Sequence, residues 1–306
     1  MGFTLHVFAS GLLTAVLALA MATPAVAETD LPDDPAQNPT VPADVMPDRC
    51  TDGRSIPSRA GACRLTPVRH ERPTVVLWGD SHAWQHIPGL RAEANAQGVN
   101  LVAFVMGACP PVVVPDRRPS SACVKNAREA VDYVGRLRDR GRTVRVVVGA
   151  HWQFYRKLNA RLRHGWEPTT ESDVFRAGQA RLFARGSDRM FETLTGLRVR
   201  AAVLGQAPWM PADRADCAAG NLPYRCELPR SQAIAGEAGV RTWLAAEMRT
   251  LRRPWSIDVT SRLCDAAVCR PEVDGVATYL DDLHLNPALS LRLRTLYGPA
   301  LRFPGD

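Results

Sequence analysis

Short apolar runs alternate along this chain with longer stretches in which apolar residues recur at helical spacing. Residues 74–78 (TVVLW) read as a strand, and residues 84–97 follow as a helix with Ile87, Leu90 and Ala94 on one side. Pro88 and Gly89 make its first turn irregular. Residues 99–105 (VNLVAFV) are a second strand, residues 123–140 a helix carrying Val124, Ala127, Val131, Val134 and Leu137, and residues 143–150 (TVRVVVGA) a third strand. A helix over 171–194, broken at Gly186, precedes a fourth strand at 198–205. A helix over 231–251 precedes a fifth, shorter strand at 255–260, and Asn286-Pro287 opens a last helix with a good N-cap and a first-turn proline. Strands that are apolar throughout and alternate with helices predict a parallel sheet covered on both faces. Ligands of such sheets bind beyond the carboxyl ends of the strands. The loops to search are therefore Gly79-Asp80-Ser81-His82, Gly107-Ala108-Cys109-Pro110-Pro111, His151-Trp152 and Gln206-Ala207-Pro208-Trp209.

The N-terminus lies outside this pattern. Residues 7–21 are apolar and uncharged, and Ala25-Val26-Ala27 precedes Glu28, as in a secretory signal peptide cleaved after Ala27. No Lys or Arg precedes the run, and an uncleaved anchor is the other reading, although the run is short for a span of about 20 residues. Residues 28–49 are rich in proline and acidic residues and read as a linker, leaving 50–306 as the domain. The chain is expected to be secreted or to lie in the periplasm or cell envelope.

Cysteine usage agrees with export. All eight cysteines follow the signal and fall into neighbours: Cys50 with Cys63, Cys109 with Cys123, Cys217 with Cys226, Cys264 with Cys269. An even count in an exported chain suits an oxidised framework, with nearest-neighbour pairing as the working expectation. No zinc-type Cys-x-x-Cys or His-x(3–5)-His spacing appears among the late residues, and no metal and no cofactor are expected. The net charge of +7 is almost entirely arginine, with Lys125 and Lys157 the only lysines. The arginines are dispersed and no basic run is interleaved with aromatics, which argues against a nucleic-acid partner.

Chemistry concentrates at two places. A serine at a strand end becomes a nucleophile only with a base in reach and an acid to orient that base. Of the histidines, His6 belongs to the signal, and His70 and His164 read as surface residues. His82 adjoins Ser81 and points elsewhere if a helix starts there, and His86 reads as packing or surface. His151 sits at a strand end on the expected rim, and His284 lies in YLDDLHLNP. Asp281, three residues before His284, can hold one imidazole nitrogen while the other faces outward.

Gly79-Asp80-Ser81-His82 early in the domain and Asp281-x-x-His284 late in it resemble the SGNH (GDSL-type) hydrolase superfamily. The closest likeness is to the extracytoplasmic SGNH domains that accompany integral-membrane acyltransferases of bacterial surface glycans. Cys109-Pro110-Pro111, Trp152, Gly205-Gln206-Ala207-Pro208, Cys264-Asp265 to Cys269 and Tyr279 to Leu285 carry the likeness onward. It spans roughly residue 73 to the C-terminus. The resemblance implies an α/β fold, a three-layer α/β/α sandwich around a five-stranded, mostly parallel sheet of flavodoxin-like type. It implies Ser81 as nucleophile, His284 as general base and acid, and Asp281 as orienting carboxylate, with Asp282 as the alternative. It places the oxyanion hole at the Ser81 N–H and near Gly107, with Asp80, His151 and Trp152 around the pocket.

One feature departs from the superfamily. The asparagine that commonly completes the oxyanion hole after the third strand is replaced by His151-Trp152. Loss of one such donor costs about 10²–10³ in rate, which suits a transferase or an enzyme that recruits another donor. Trp152 is read as pocket wall or core, and Trp152 and Trp209 as possible sugar-stacking surfaces. The resemblance thus implies a serine O-acyltransferase or acetylesterase acting on a cell-surface glycan, with a separate integral-membrane acyltransferase as acyl donor. The alternatives are a carbohydrate-binding module of the same fold with little or no catalysis, and a secreted lipase or esterase of the same superfamily.

Overall fold

The computed structural model describes Gly2 and residues 45–115, 121–208, 227–281 and 284–303. The strands among the described residues, in chain order, are β1 (Cys63–Arg64), β2 (Thr74–Gly79), β3 (Asn100–Val105), β4 (Val144–Gly149), β5 (Arg200–Leu204), β6 (Leu228–Pro229), β7 (Trp255–Ile257), β8 (Val268–Cys269), β9 (Glu272–Val273) and β10 (Val276–Ala277). Six of them form one sheet in the order β1-β3-β2-β4-β5-β7. Five run parallel, and β1 adds to the edge antiparallel to β3. The sequence predicts five strands; the sixth is β1, whose two residues are too few to show a period.

The helices are α1 (Ser81–Trp84), α2 (Ile87–Ala96), α3 (Ala122–Asp139), α4 (Trp152–Arg163), α5 (Glu171–Gly196), α6 (Arg230–Ala235), α7 (Ala238–Met248), α8 (Thr260–Leu263), α9 (Pro287–Arg292) and α10 (Gly298–Leu301). They cover both faces of the sheet. Val76, Trp78, Val102 and Phe104 pack on one side with residues of α3, α4, α5 and α7. Val75, Leu77, Leu101 and Ala103 pack on the other with residues of α1, α2 and α10. Successive strand residues point to opposite faces, so a strand buried on both faces must be apolar at every position.

Several boundaries differ from expectation. Helix α4 is an addition, with Trp152, Tyr155 and Leu158 forming its buried stripe. Helix α5 passes unbroken through Gly186, because that glycine is a contact and not a break. A Cβ there would lie 2.8 Å from the Val113 carbonyl oxygen, and the Val113 N–H donates to the Gly186 carbonyl at 2.9 Å. The single helix expected over 231–251 is two, α6 and α7, parted at Gly236-Glu237, where the buried Glu237 side chain turns in to pair with Arg241 at 2.9 Å. The last helix is capped as expected: Asn286 Oδ1 accepts the Ala288 N–H, and Pro287 occupies the first turn. Val45 and Met46 are buried in the core, so the folded part already includes the end of the segment read as linker.

Disulfides join Cys50 to Cys63, Cys109 to Cys123 and Cys264 to Cys269, each to its neighbour. Cys217 and Cys226 lie outside the described residues, as do Trp209, Asp282 and the segment read as a signal. Among the described residues no helix is long and apolar enough to cross a membrane.

Candidate active site

The order β3-β2-β4-β5 reverses direction between β2 and β4, and the crevice of such a sheet opens at that switch point. Gly79 and Gly149 end these two strands side by side. A Cβ on Gly79 would stand 1.9 Å from the Gly149 carbonyl oxygen, so no other residue lets the two ends come this close. Asp80 follows as the N-cap of α1. Its Oδ1 accepts the His82 N–H at 2.8 Å; its Oδ2 accepts the His151 N–H at 3.0 Å and the Tyr155 hydroxyl at 2.8 Å. Burial pushes this carboxyl up to about 6, and the three donors oppose that rise, so it is ionised at neutral pH. Asp80 thereby locks the turn after β2 to the loop after β4. Ser81 emerges from that turn as the first residue of α1, where its N–H has no place in the helix ladder.

His284 arrives from the other end of the chain on a tight loop. Tyr279 and Leu285 form an antiparallel bridge, and the Leu280 N–H donates to the His284 carbonyl at 2.9 Å. Asp281 Oδ1 accepts the His284 N–H at 2.6 Å, and its Oδ2 lies 2.7 Å from His284 Nδ1. His284 Nε2 lies 2.8 Å from Ser81 Oγ. A carboxylate only accepts, so Nδ1 carries the proton and Nε2 offers its lone pair to the serine hydroxyl. Serine hydroxyl, imidazole and carboxylate thus stand in one hydrogen-bonded line, an arrangement that can activate a hydroxyl for attack on an acyl group.

The family model of the SGNH domain, described as fused to AT3 domains, matches residues 49–299. The chain belongs to the SGNH domain family. Among solved structures, the periplasmic domain of a lipopolysaccharide acetyltransferase from Salmonella ser. Paratyphi A is similar to this SGNH domain, at 14% identity over 76% of this chain and 85% of that one, with a TM-score of 0.47. No curated protein matches the chain.

The other expected pocket residues of this SGNH domain fall unevenly. The Gly107 N–H donates to the Pro57 carbonyl at 3.1 Å, so it is already taken and cannot serve an oxyanion. Trp152 is core and not pocket wall: it has no exposed surface, its Nε1 donates to the Leu204 carbonyl, and it packs near Phe183 and Trp243. Asp80, 1% exposed, lies beneath the site and does not line it. His151 is on the rim, its ring stacked between those of His82 and Phe154 with centroids at 4.0 and 5.3 Å. Its ring nitrogens make no hydrogen bond to a described residue, and burial lowers its pKa to about 3, keeping it neutral. His70 and His164 are exposed, and His86 is buried packing.

Three contributors escaped the sequence reading. The His82 ring does not point away: its centroid is 5.0 Å from that of His284. Tyr155 closes the Asp80 cluster from α4, one turn beyond His151, and the i, i+3 stripe Trp152-Tyr155-Leu158 was the signal for it. Gln85, four residues after Ser81, accepts the Leu285 N–H at 2.8 Å, a contact across 200 positions that no local pattern announces.

Proposed function

We propose that this SGNH domain is a serine O-acyltransferase or acetylesterase acting on a cell-surface glycan outside the cytoplasm. The observation that carries the reading is the line Ser81–His284–Asp281, with contacts of 2.8 and 2.7 Å between groups 203 and 3 positions apart. In the first half-reaction Ser81 Oγ attacks the carbonyl carbon of an acyl ester or thioester as its proton passes to His284 Nε2. The tetrahedral intermediate collapses, the bond to the leaving group breaks, and the leaving group takes the proton from Nε2. In the second half-reaction a glycan hydroxyl, or water, attacks the acyl-serine, gives its proton to Nε2, and Ser81 recovers it. Asp281 keeps Nδ1 protonated and stabilises the imidazolium formed in each half.

With the Gly107 N–H taken, the oxyanion is met by the Ser81 N–H and by the neutral imidazole N–H of His151. Membership in a family fused to AT3 domains supports an integral-membrane acyltransferase as the source of the acyl group. The disulfides suit an oxidising compartment.

The test is fluorophosphonate labelling and p-nitrophenyl acetate turnover by the oxidised protein beside Ser81→Ala and His284→Ala. Labelling and turnover in the wild type alone support the enzyme, and turnover that rises with added surface glycan supports transfer over hydrolysis. A folded wild type that neither labels nor turns over refutes it. That outcome favours a glycan-binding module, the reading the occupied Gly107 N–H would then explain.

A further inference from the structure

Gln85 is the C-cap residue of α1, the helix that begins with Ser81, and it is 2% exposed. Its Oε1 accepts the N–H of Leu285, the residue next to His284, and its Nε2 lies 3.3 Å from His86 Nε2. His86 Nδ1 lies 2.8 Å from the hydroxyl of Tyr297, which is fully buried. The direction of every bond in this chain follows from its first member. A backbone N–H only donates, so the amide oxygen of Gln85 faces Leu285 and its amide nitrogen faces His86. His86 Nε2 must then be the lone pair, and Nδ1 carries the proton that goes to the Tyr297 oxygen. Burial holds His86 neutral, with its pKa lowered to about 3, as such a chain requires. The far end is packed against α2, where a Cβ on Gly89 would stand 2.5 Å from the Tyr297 ring.

We infer that Gln85 is a positioning residue, tying the loop that carries His284 to the helix that carries Ser81 through the buried chain Leu285–Gln85–His86–Tyr297. This rests on the serine-enzyme reading above and adds to it. Asp281 orients the imidazole within its own loop; Gln85 sets where that loop stands relative to the nucleophile. The 2.8 Å approach of His284 Nε2 to Ser81 Oγ depends on both.

The test compares two replacements of nearly the same length, beside Ser81→Ala. Gln85→Met fills the space and removes both hydrogen bonds. Displacement of a catalytic group by ångström-scale amounts costs up to about 10²-fold, so kcat for p-nitrophenyl acetate should fall about 10- to 100-fold. KM should stay within about twofold, because the substrate does not touch Gln85. Gln85→Glu keeps an oxygen for Leu285 and presents its second oxygen to His86. The chain can then reverse, with His86 Nε2–H donating to the carboxylate and Nδ1 accepting from the Tyr297 hydroxyl. This variant should recover kcat to within about threefold of wild type, since the Leu285 anchor is kept. Its ¹⁵N-histidine spectrum should show His86 switched from the Nδ1–H to the Nε2–H tautomer, a signature that a merely space-filling Gln85 would not produce. Wild-type kcat in Gln85→Met, with Ser81→Ala silent, overturns the positioning role and leaves the enzyme reading intact. Turnover that survives Ser81→Ala overturns the reading and the inference with it. If Gln85→Met does not fold, the glutamate variant decides: a folded protein with an unswitched His86 or a lost kcat refutes the inference.

Discussion

Asp281→Asn is the sharpest perturbation of the site, because it changes one atom and leaves the shape alone. In the wild type two donors of His284 converge on the two carboxylate oxygens, the backbone N–H at 2.6 Å and Nδ1–H at 2.7 Å. An asparagine has one acceptor oxygen and one donor NH₂. If its oxygen keeps the backbone N–H, its NH₂ faces Nδ1, and the imidazole can answer only by moving its proton to Nε2. Nε2–H then faces the Ser81 hydroxyl and can no longer take its proton. Holding the productive tautomer would set two donors against each other. That forfeits a hydrogen bond to a charged group, about 1.5–3 kcal/mol, and leaves a donor unmet, about 1–3 kcal/mol. The combined cost of about 4 kcal/mol corresponds to about a 10³-fold loss of kcat/KM. Flipping the amide only moves the same conflict to the backbone N–H. Stability should change by less than about 1 kcal/mol, because the two side chains are 31% and 17% exposed and a partly solvated pair contributes little. The assay is kcat/KM for p-nitrophenyl acetate together with the second-order rate of fluorophosphonate labelling, beside a thermal melt. A variant within tenfold of wild type on both rates, at unchanged Tm, would refute the assignment of Asp281 as the orienting acid.

Acid should destabilise the fold through its buried imidazoles. Burial depresses His82 far below the ordinary 6.5 and brings His86 and His151 to about 3, so the stability these three contribute is complete above pH 6.5 and lost as pH falls below it; Asp80, raised to about 6, acts in the opposite sense. Glu237, raised by burial to about 8, also acts in the opposite sense, so near pH 5 the unfolded chain holds about one proton more than the folded one, a slope of about 1–2 kcal/mol per pH unit in denaturant melts, and a flat profile would contradict this. Trp152→Ala should cost about 3–5 kcal/mol in unfolding free energy, as expected for an aromatic deleted from a core. Trp152→Phe, folded at 25 °C, should leave KM for glycan acceptors unchanged, and a selective rise in KM would return Trp152 to the pocket. Replacing Cys109 and Cys123 together by alanine opens a loop of sequence separation 14 and should cost about 3 kcal/mol, read as a drop in urea midpoint.

The parts of this molecule that follow from local rules were legible in the sequence, and the parts that need two distant segments to meet were not. Strands buried on both faces must be apolar at every position, so β2 to β5 stand out as runs, and the polar Gly-Asp-Ser-His that ends the first of them is conspicuous by contrast. The Asp281-x-x-His284 spacing is likewise local, since one tight loop brings carboxylate and imidazole together. The failures share a cause. Gly107 looked available until the Pro57 carbonyl, from the loop closed by Cys50 and Cys63, took its N–H. Gly186 looked like a break because the close approach of residues 112–114 cannot be read from α5 alone. Trp152 stayed ambiguous because its burial depends on Phe183 and Trp243, contributed by two separate helices. Asp80 is the instructive case. Its neighbour Ser81 made it look like part of the pocket, yet its chemistry is structural: a buried carboxylate collecting three donors from α1, the β4 loop and α4. A motif can therefore mark where chemistry happens without dividing its residues between reaction and scaffold. That division is made by which groups keep a free donor or lone pair once the rest of the chain has folded around them.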